Sequence, residues 1–101
     1  EEYKQDANFI FEGYYTALLE MLHAILLEEG YKVENHLCIG FFLRDVRKER
    51  RKFEWFNDLR IKRNSLMYYG KMMELPLAQE AIVKAKKLIK EFTEEKAGKD
   101  I

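Results

Sequence analysis

Apolar residues recur every three or four positions from Tyr3 to about Glu29, at Ile10, Tyr14, Ala17, Leu18, Met21, Leu22, Ile25 and Leu26. No stretch of the chain alternates apolar with polar residues as a half-buried strand would. This spacing predicts one long helix with a wide buried face. Ala78, Ala81, Ile82, Ala85, Leu88, Ile89 and Phe92 repeat the pattern and predict a helix from Leu77 to Phe92, with Lys and Glu on its outer side.

The middle of the chain divides at local signals. Gly30 follows Glu28-Glu29 as a helix-ending residue, Tyr31 to Glu34 form a short connection, and Asn35 caps what comes next. A second helix is expected from His36 to Lys52. Phe53, Trp55, Phe56 and Leu59 lead into a third, ending near Met73, and Pro76 suits the start of the fourth. The predicted architecture is all-α, an antiparallel bundle of about four helices forming a single domain over residues 1–101, because short connections favour antiparallel neighbours. Residues 93–101 are expected to fray.

An apolar fraction of 48% is too high for disorder, and 36% charged residues suffice to cover a soluble surface. Lys and Arg balance Asp and Glu at 18 each, so any pull on nucleic acid must come from where the charges lie. Cys38 is the only cysteine, which excludes an internal disulfide and fits a reducing, cytoplasmic setting. It reads as a small core residue. No apolar run suggests a membrane span and no secretory leader opens the chain.

The segment Leu59 to Gly70 concentrates the chemistry. Arg60, Asn64 and Tyr68 fall on one helical stripe at successive i+4 steps, with Arg63 and Met67 along its edge. Guanidinium forks, an amide and phenols pointing one way suit a phosphate, a base or a partner carboxylate. Two roles are open to Arg63 and Asn64: ligand recognition, or internal pairing of Arg63 with Glu20 or Asp58. Tyr68 and Tyr69 fit base stacking, or packing in a core or dimer contact.

On one continuous helix, Arg44, Arg47, Lys48 and Arg51 would share a basic face, either for nucleic acid or an acidic partner or as a solvated helix end paired with Asp45, Glu49 and Glu54. His23 and His36 lack a third ligand nearby in sequence, so neither a metal nor a cofactor is predicted.

Several of these stretches together resemble the HEPN superfamily, small helical domains found beside minimal nucleotidyltransferases. Gly13-Tyr14-Tyr15-Thr16-Ala17-Leu18 with Leu26-Leu27-Glu28-Glu29-Gly30-Tyr31 is similar to the family's second helix, and His36 with Phe41-Phe42-Leu43 to the opening of the next. Leu59-Arg60-x-x-Arg63-Asn64 looks like its signature segment. The likeness spans roughly residues 9–92 and places the family's first helix upstream of Glu1.

The resemblance implies a homodimer that binds RNA or a nucleotide-bearing partner, paired with a minimal nucleotidyltransferase in a toxin–antitoxin-like module. In ribonuclease members an Arg and a His four to six residues later act without metal across the dimer interface. Arg63 matches the Arg, while Tyr68, Tyr69 and Gly70 stand where the His would be. A phenol of pKa about 10 exchanges protons poorly near neutrality. The resemblance therefore carries the fold and a binding face of Arg60, Arg63, Asn64 and Tyr68. A metal-independent endoribonuclease using Arg63 with Tyr68 or a distant His36 is the alternative, and a protein-interaction module without nucleotide is a third.

Overall fold

The computed structural model describes residues 2–32 and 35–99, which form helices α1 (Glu2–Glu28), α2 (His36–Phe41), α3 (Arg50–Tyr69) and α4 (Leu75–Lys99), with a π-helical turn over Phe42–Val46 continuing α2. Among the described residues there is no strand. The all-α bundle expected from the periodicity is what forms.

Helix α1 ends as its sequence directs. Gly30 takes a left-handed φ of +86°, its N–H donates to the Leu27 carbonyl at 3.1 Å, and the Tyr31 N–H donates to Leu26 at 2.9 Å. These paired bonds satisfy carbonyls that the helix end would orphan, and glycine adopts the angle without a Cβ penalty. Asn35 then caps α2, its Oδ1 accepting from the Cys38 N–H at 3.0 Å.

The single helix expected from His36 to Lys52 does not form. The Arg47 N–H reaches back five residues to Phe42 O at 3.0 Å, and Lys48 takes a positive φ of 57°. A non-glycine residue in that region is held there by its surroundings. Arg47 is what holds it, because its guanidinium meets Glu29 at 3.1 Å, Glu49 at 2.9 Å and Glu95 at 2.6 Å, tying the turn to the ends of α1 and α4.

Helix α3 also stops earlier than Met73. Gly70 turns left-handed at φ +62°, so the chain leaves the helix after Tyr69. Helix α4 runs past Phe92 to Lys99, across the stretch where fraying is expected. Glu95 bonded to Arg47, and Lys96 3.6 Å from Glu28, fasten this extension to the bundle.

Helices α3 and α4 run antiparallel, shown by Arg51 with Glu91 at one end and Asp58 with Lys84 further along. Trp55 lies half-buried between them, with Arg51, Lys84 and Lys87 at 4.8, 5.9 and 5.5 Å from the ring. By contrast, α1 and α4 run in the same direction. Lys4 and Asn8 meet Glu74 and Met73 at one end, while Met21 and Glu28 meet Thr93 and Lys96 at the other. Helix α2 starts beside the middle of α1, where His36 Nδ1 lies 3.3 Å from the Tyr15 hydroxyl.

The core joins Phe11, Tyr15, Leu18 and Leu22 of α1 to Ile39, Phe42, Leu43, Phe56, Leu59, Leu88 and Phe92. Buried Ala78, Ala81 and Ala85 let α4 approach closely. The buried face of α1 is turned from the expected one, since Phe11 and Tyr15 are inside while Ile10 and Ala17 are exposed. By length and composition alone, Tyr3–Glu28, of mean hydropathy 1.2, is apolar enough to cross a membrane, a property that the core helix of a bundle shares. Its apolar side is spent on this core.

One polar side chain sits within it. Asn8, 2% exposed, donates from Nδ2 to Lys4 O at 2.7 Å and Met73 O at 2.9 Å, and accepts the Met73 N–H at Oδ1 at 2.9 Å. Both backbone groups of Met73 depend on it. Asn8→Ala should therefore cost about 2–4 kcal/mol in urea unfolding, since buried donors and acceptors lose their partner together. A loss below about 0.5 kcal/mol would contradict the role given to this amide.

Candidate functional site

The cap at Asn35 fixes His36 as the first residue of α2, facing the second half of α3. Between the two elements lies an open hollow of about 410 Å³ lined by Asn35, His36, Leu37, Arg60, Arg63, Asn64 and Tyr68. The expected stripe of Arg60, Arg63, Asn64 and Tyr68 is thus brought together on one wall. His36 supplies the opposite wall.

The hollow's arginines differ from the other arginines of the molecule. Of the chain's six arginines, Arg44, Arg47, Arg50 and Arg51 pair with carboxylates. Among the described residues, Arg60 and Arg63 pair with none. Arg60 bonds only the Asn57 carboxamide, at 2.8 Å from Nη2 and 3.2 Å from Nε. Arg63 does not meet Glu20 or Asp58 as internal pairing would require, because Asp58 is taken by Lys62 and Lys84. Instead the Arg63 guanidinium lies 5.8 Å from the Tyr15 ring, with Nε buried and without a hydrogen-bond partner among the described residues.

Beneath the hollow, the hydroxyl of fully buried Tyr15 lies 3.3 Å from His36 Nδ1. Burial pushes the Tyr15 pKa up to about 12, against the opposing pull of Arg63 and Arg60, so the phenol keeps its proton. Burial, then the charges of Arg63, His23 and Arg60, hold His36 below its usual 6.5. Near neutral pH the hollow offers two guanidinium groups, an uncharged imidazole and the Asn64 amide. Such a set accepts an anion of phosphate type and has a group able to take up a proton.

Tyr68 stands at the rim, 74% exposed, and Tyr69 beside it is 80% exposed and outside the hollow. Neither packs into the core of its own chain. The basic face expected of Arg44, Arg47, Lys48 and Arg51 is not one face, because the helix carrying it is broken. Arg44 pairs with Asp45 and, with Lys48 and Arg50, lines a separate hollow, while Arg47 and Arg51 point to carboxylates of the bundle. Cys38 is half-buried beside Leu26, Tyr31 and Phe42. No cluster of three or more metal-ligating side chains occurs among the described residues.

The sequence named His36 only as a distant proton carrier in the endoribonuclease alternative, and did not place Tyr15 in this site at all. Asn35 was the available signal, since a cap fixes the direction in which the following residue leaves the loop.

Compared with family models, curated proteins and solved structures, the chain finds no match in any of the three.

The electrostatics give a pH prediction. His36 followed by NMR should titrate below 6.5, and Arg63→Ala should raise that midpoint by removing a neighbouring positive charge. The folded chain binds this proton less readily than the unfolded chain. The His36 contribution to stability is therefore complete above about 6.5 and is lost as the pH falls below it. A midpoint at or above 6.5 in the wild type would contradict the assigned environment.

Proposed function

We propose that this chain is an HEPN-like protein that binds RNA, or a nucleotide-bearing partner, through the hollow between α2 and α3. It would act in the cytoplasm as a homodimer alongside a minimal nucleotidyltransferase. The observation that carries the reading is the pair of guanidinium groups, Arg60 and Arg63, without a carboxylate partner among the described residues, in one hollow with Asn64, in a chain whose other arginines are all paired. An internal ion pair would consume their charge, whereas an incoming phosphate would complete it. Arg63 would contact phosphate, Asn64 would orient it or a ribose hydroxyl, and exposed Tyr68 would stack on a base.

A second reading, a metal-independent endoribonuclease, gains support from His36. The signature histidine is absent from α3, yet an imidazole held uncharged near neutral pH lines the same hollow as Arg63. That reading requires uncharged His36 to carry its hydrogen on Nδ1, leaving Nε2 to take the proton of the 2′-hydroxyl as its oxygen attacks phosphorus. Arg63 would stabilise the pentacovalent phosphate, and the P–O5′ bond would break as the imidazolium gives the proton to the departing 5′-oxygen.

Binding of a short single-stranded RNA at several salt concentrations tests the first reading. Arg60→Ala and Arg63→Ala should each weaken it about tenfold and flatten the log–log salt slope by about 0.7 per lost phosphate contact. Unchanged affinity in both variants would remove the hollow as the binding site. For the second reading, RNA cleavage in EDTA should occur with wild type and disappear in Arg63→Ala and His36→Asn. Absence of cleavage by the wild type ends that reading alone.

A further inference from the structure

The surroundings of Tyr15 pose a physical question. Its ring packs against Phe11 and Phe56, with ring centres 6.1 Å away in each case, a site that phenylalanine would fill equally well. Burying a hydroxyl carries a desolvation cost unless a hydrogen bond offsets it. Here the single partner among the described residues is His36 Nδ1, a group on the wall of the hollow. The same ring lies beneath the Arg63 guanidinium, whose buried Nε has no hydrogen bond of its own among the described residues. One core side chain therefore touches an imidazole with its hydroxyl and a guanidinium with its ring, from two different elements.

We propose that Tyr15 is the positioning residue of the hollow, its hydroxyl holding the His36 imidazole through Nδ1 and its ring face seating the Arg63 guanidinium. The phenol donates, so Nδ1 accepts and the imidazole carries its hydrogen on Nε2 when uncharged. This bond favours the uncharged imidazole. Around that ring stand Tyr15 and His23 from α1 and Arg60 and Arg63 from α3, and the charges of the two arginines act in the same sense. Swinging of the imidazole or the guanidinium would separate the hollow's two walls, and Tyr15 opposes both motions from inside the core. That the held groups serve a phosphate rests on the function proposed above, whereas the holding itself does not.

The test uses the whole chain. His36 is titrated by NMR in wild type, Tyr15→Phe and Tyr15→Leu, and the three proteins are compared for binding of the same short RNA. Tyr15→Phe should raise the His36 midpoint by about half a unit to one unit, the effect of losing one hydrogen bond to the uncharged form. Its RNA-binding pH profile should move with it. Tyr15→Leu should also weaken RNA binding at least about threefold relative to Tyr15→Phe, through loss of the cation–π contact.

An unmoved midpoint in folded Tyr15→Phe overturns the hydroxyl's role. Equal RNA affinity in the two variants overturns the ring's role. A moved midpoint in a protein that binds no RNA supports the positioning role and removes the nucleic-acid reading instead. Should Tyr15→Phe fail to fold, the nitrogen resonances of His36 in the wild type decide. A hydrogen on Nε2 with Nδ1 accepting supports the proposal, and a hydrogen on Nδ1 overturns it.

Discussion

The position of α1 along the bundle is set where Asn8 closes on both backbone groups of Met73. These groups lie in the connection between α3 and α4, buried where water cannot satisfy them, so α1 cannot slide without orphaning them. Tyr15 follows Asn8 by seven residues, two helical turns or about 10 Å, and so emerges on the same side of α1. Fixing one fixes the height of the other. Because α1 and α4 run in the same direction, the buried alanines of α4 give close contact but little to stop such sliding, and the carboxamide supplies what they lack.

Charge follows the same economy of placement. Carboxylates surround the guanidinium groups wherever an arginine fastens one element to another: Arg47 between the ends of α1 and α4, Arg51 between α3 and α4. At the hollow this pattern stops. Arg60 has a neutral amide and Arg63 an aromatic face, partners that hold a cation in place without cancelling its charge. The arginines that fasten elements together and those of the hollow thus differ in the partners that hold them.

Much of this was legible in the residues. Gly30 and Asn35 act through backbone conformation or a side chain reaching three residues on, so the exit of α1 and the cap of α2 could be read locally, whereas α3, expected to end near Met73, stops at Gly70. The stripe of Arg60, Asn64 and Tyr68 follows from helical spacing alone, and the hollow contains it. The break at Arg47 to Glu49 could not be read, because no Gly or Pro marks it and the left-handed Lys48 is enforced by Glu29 and Glu95 from distant elements. His36 could be named only as a distant group for a similar reason: its meeting with Arg63 depends on how α2 packs beside α1 and α3. Tyr15 was missed because the apolar stripe of α1 can be centred on Ile10 and Ala17 or, one position on, on Phe11 and Leu18, and only packing chooses.

The placement of Trp55 has a practical consequence. As the sole tryptophan, wedged between α3 and α4 beneath Arg51, Lys84 and Lys87, it is an intrinsic fluorophore at the antiparallel seam and away from the hollow. Its emission would redden as solvent enters the seam and stay constant while the hollow alone fills. The molecule thus carries its own optical gauge for telling a separation of these two helices from occupancy at the other side of α3.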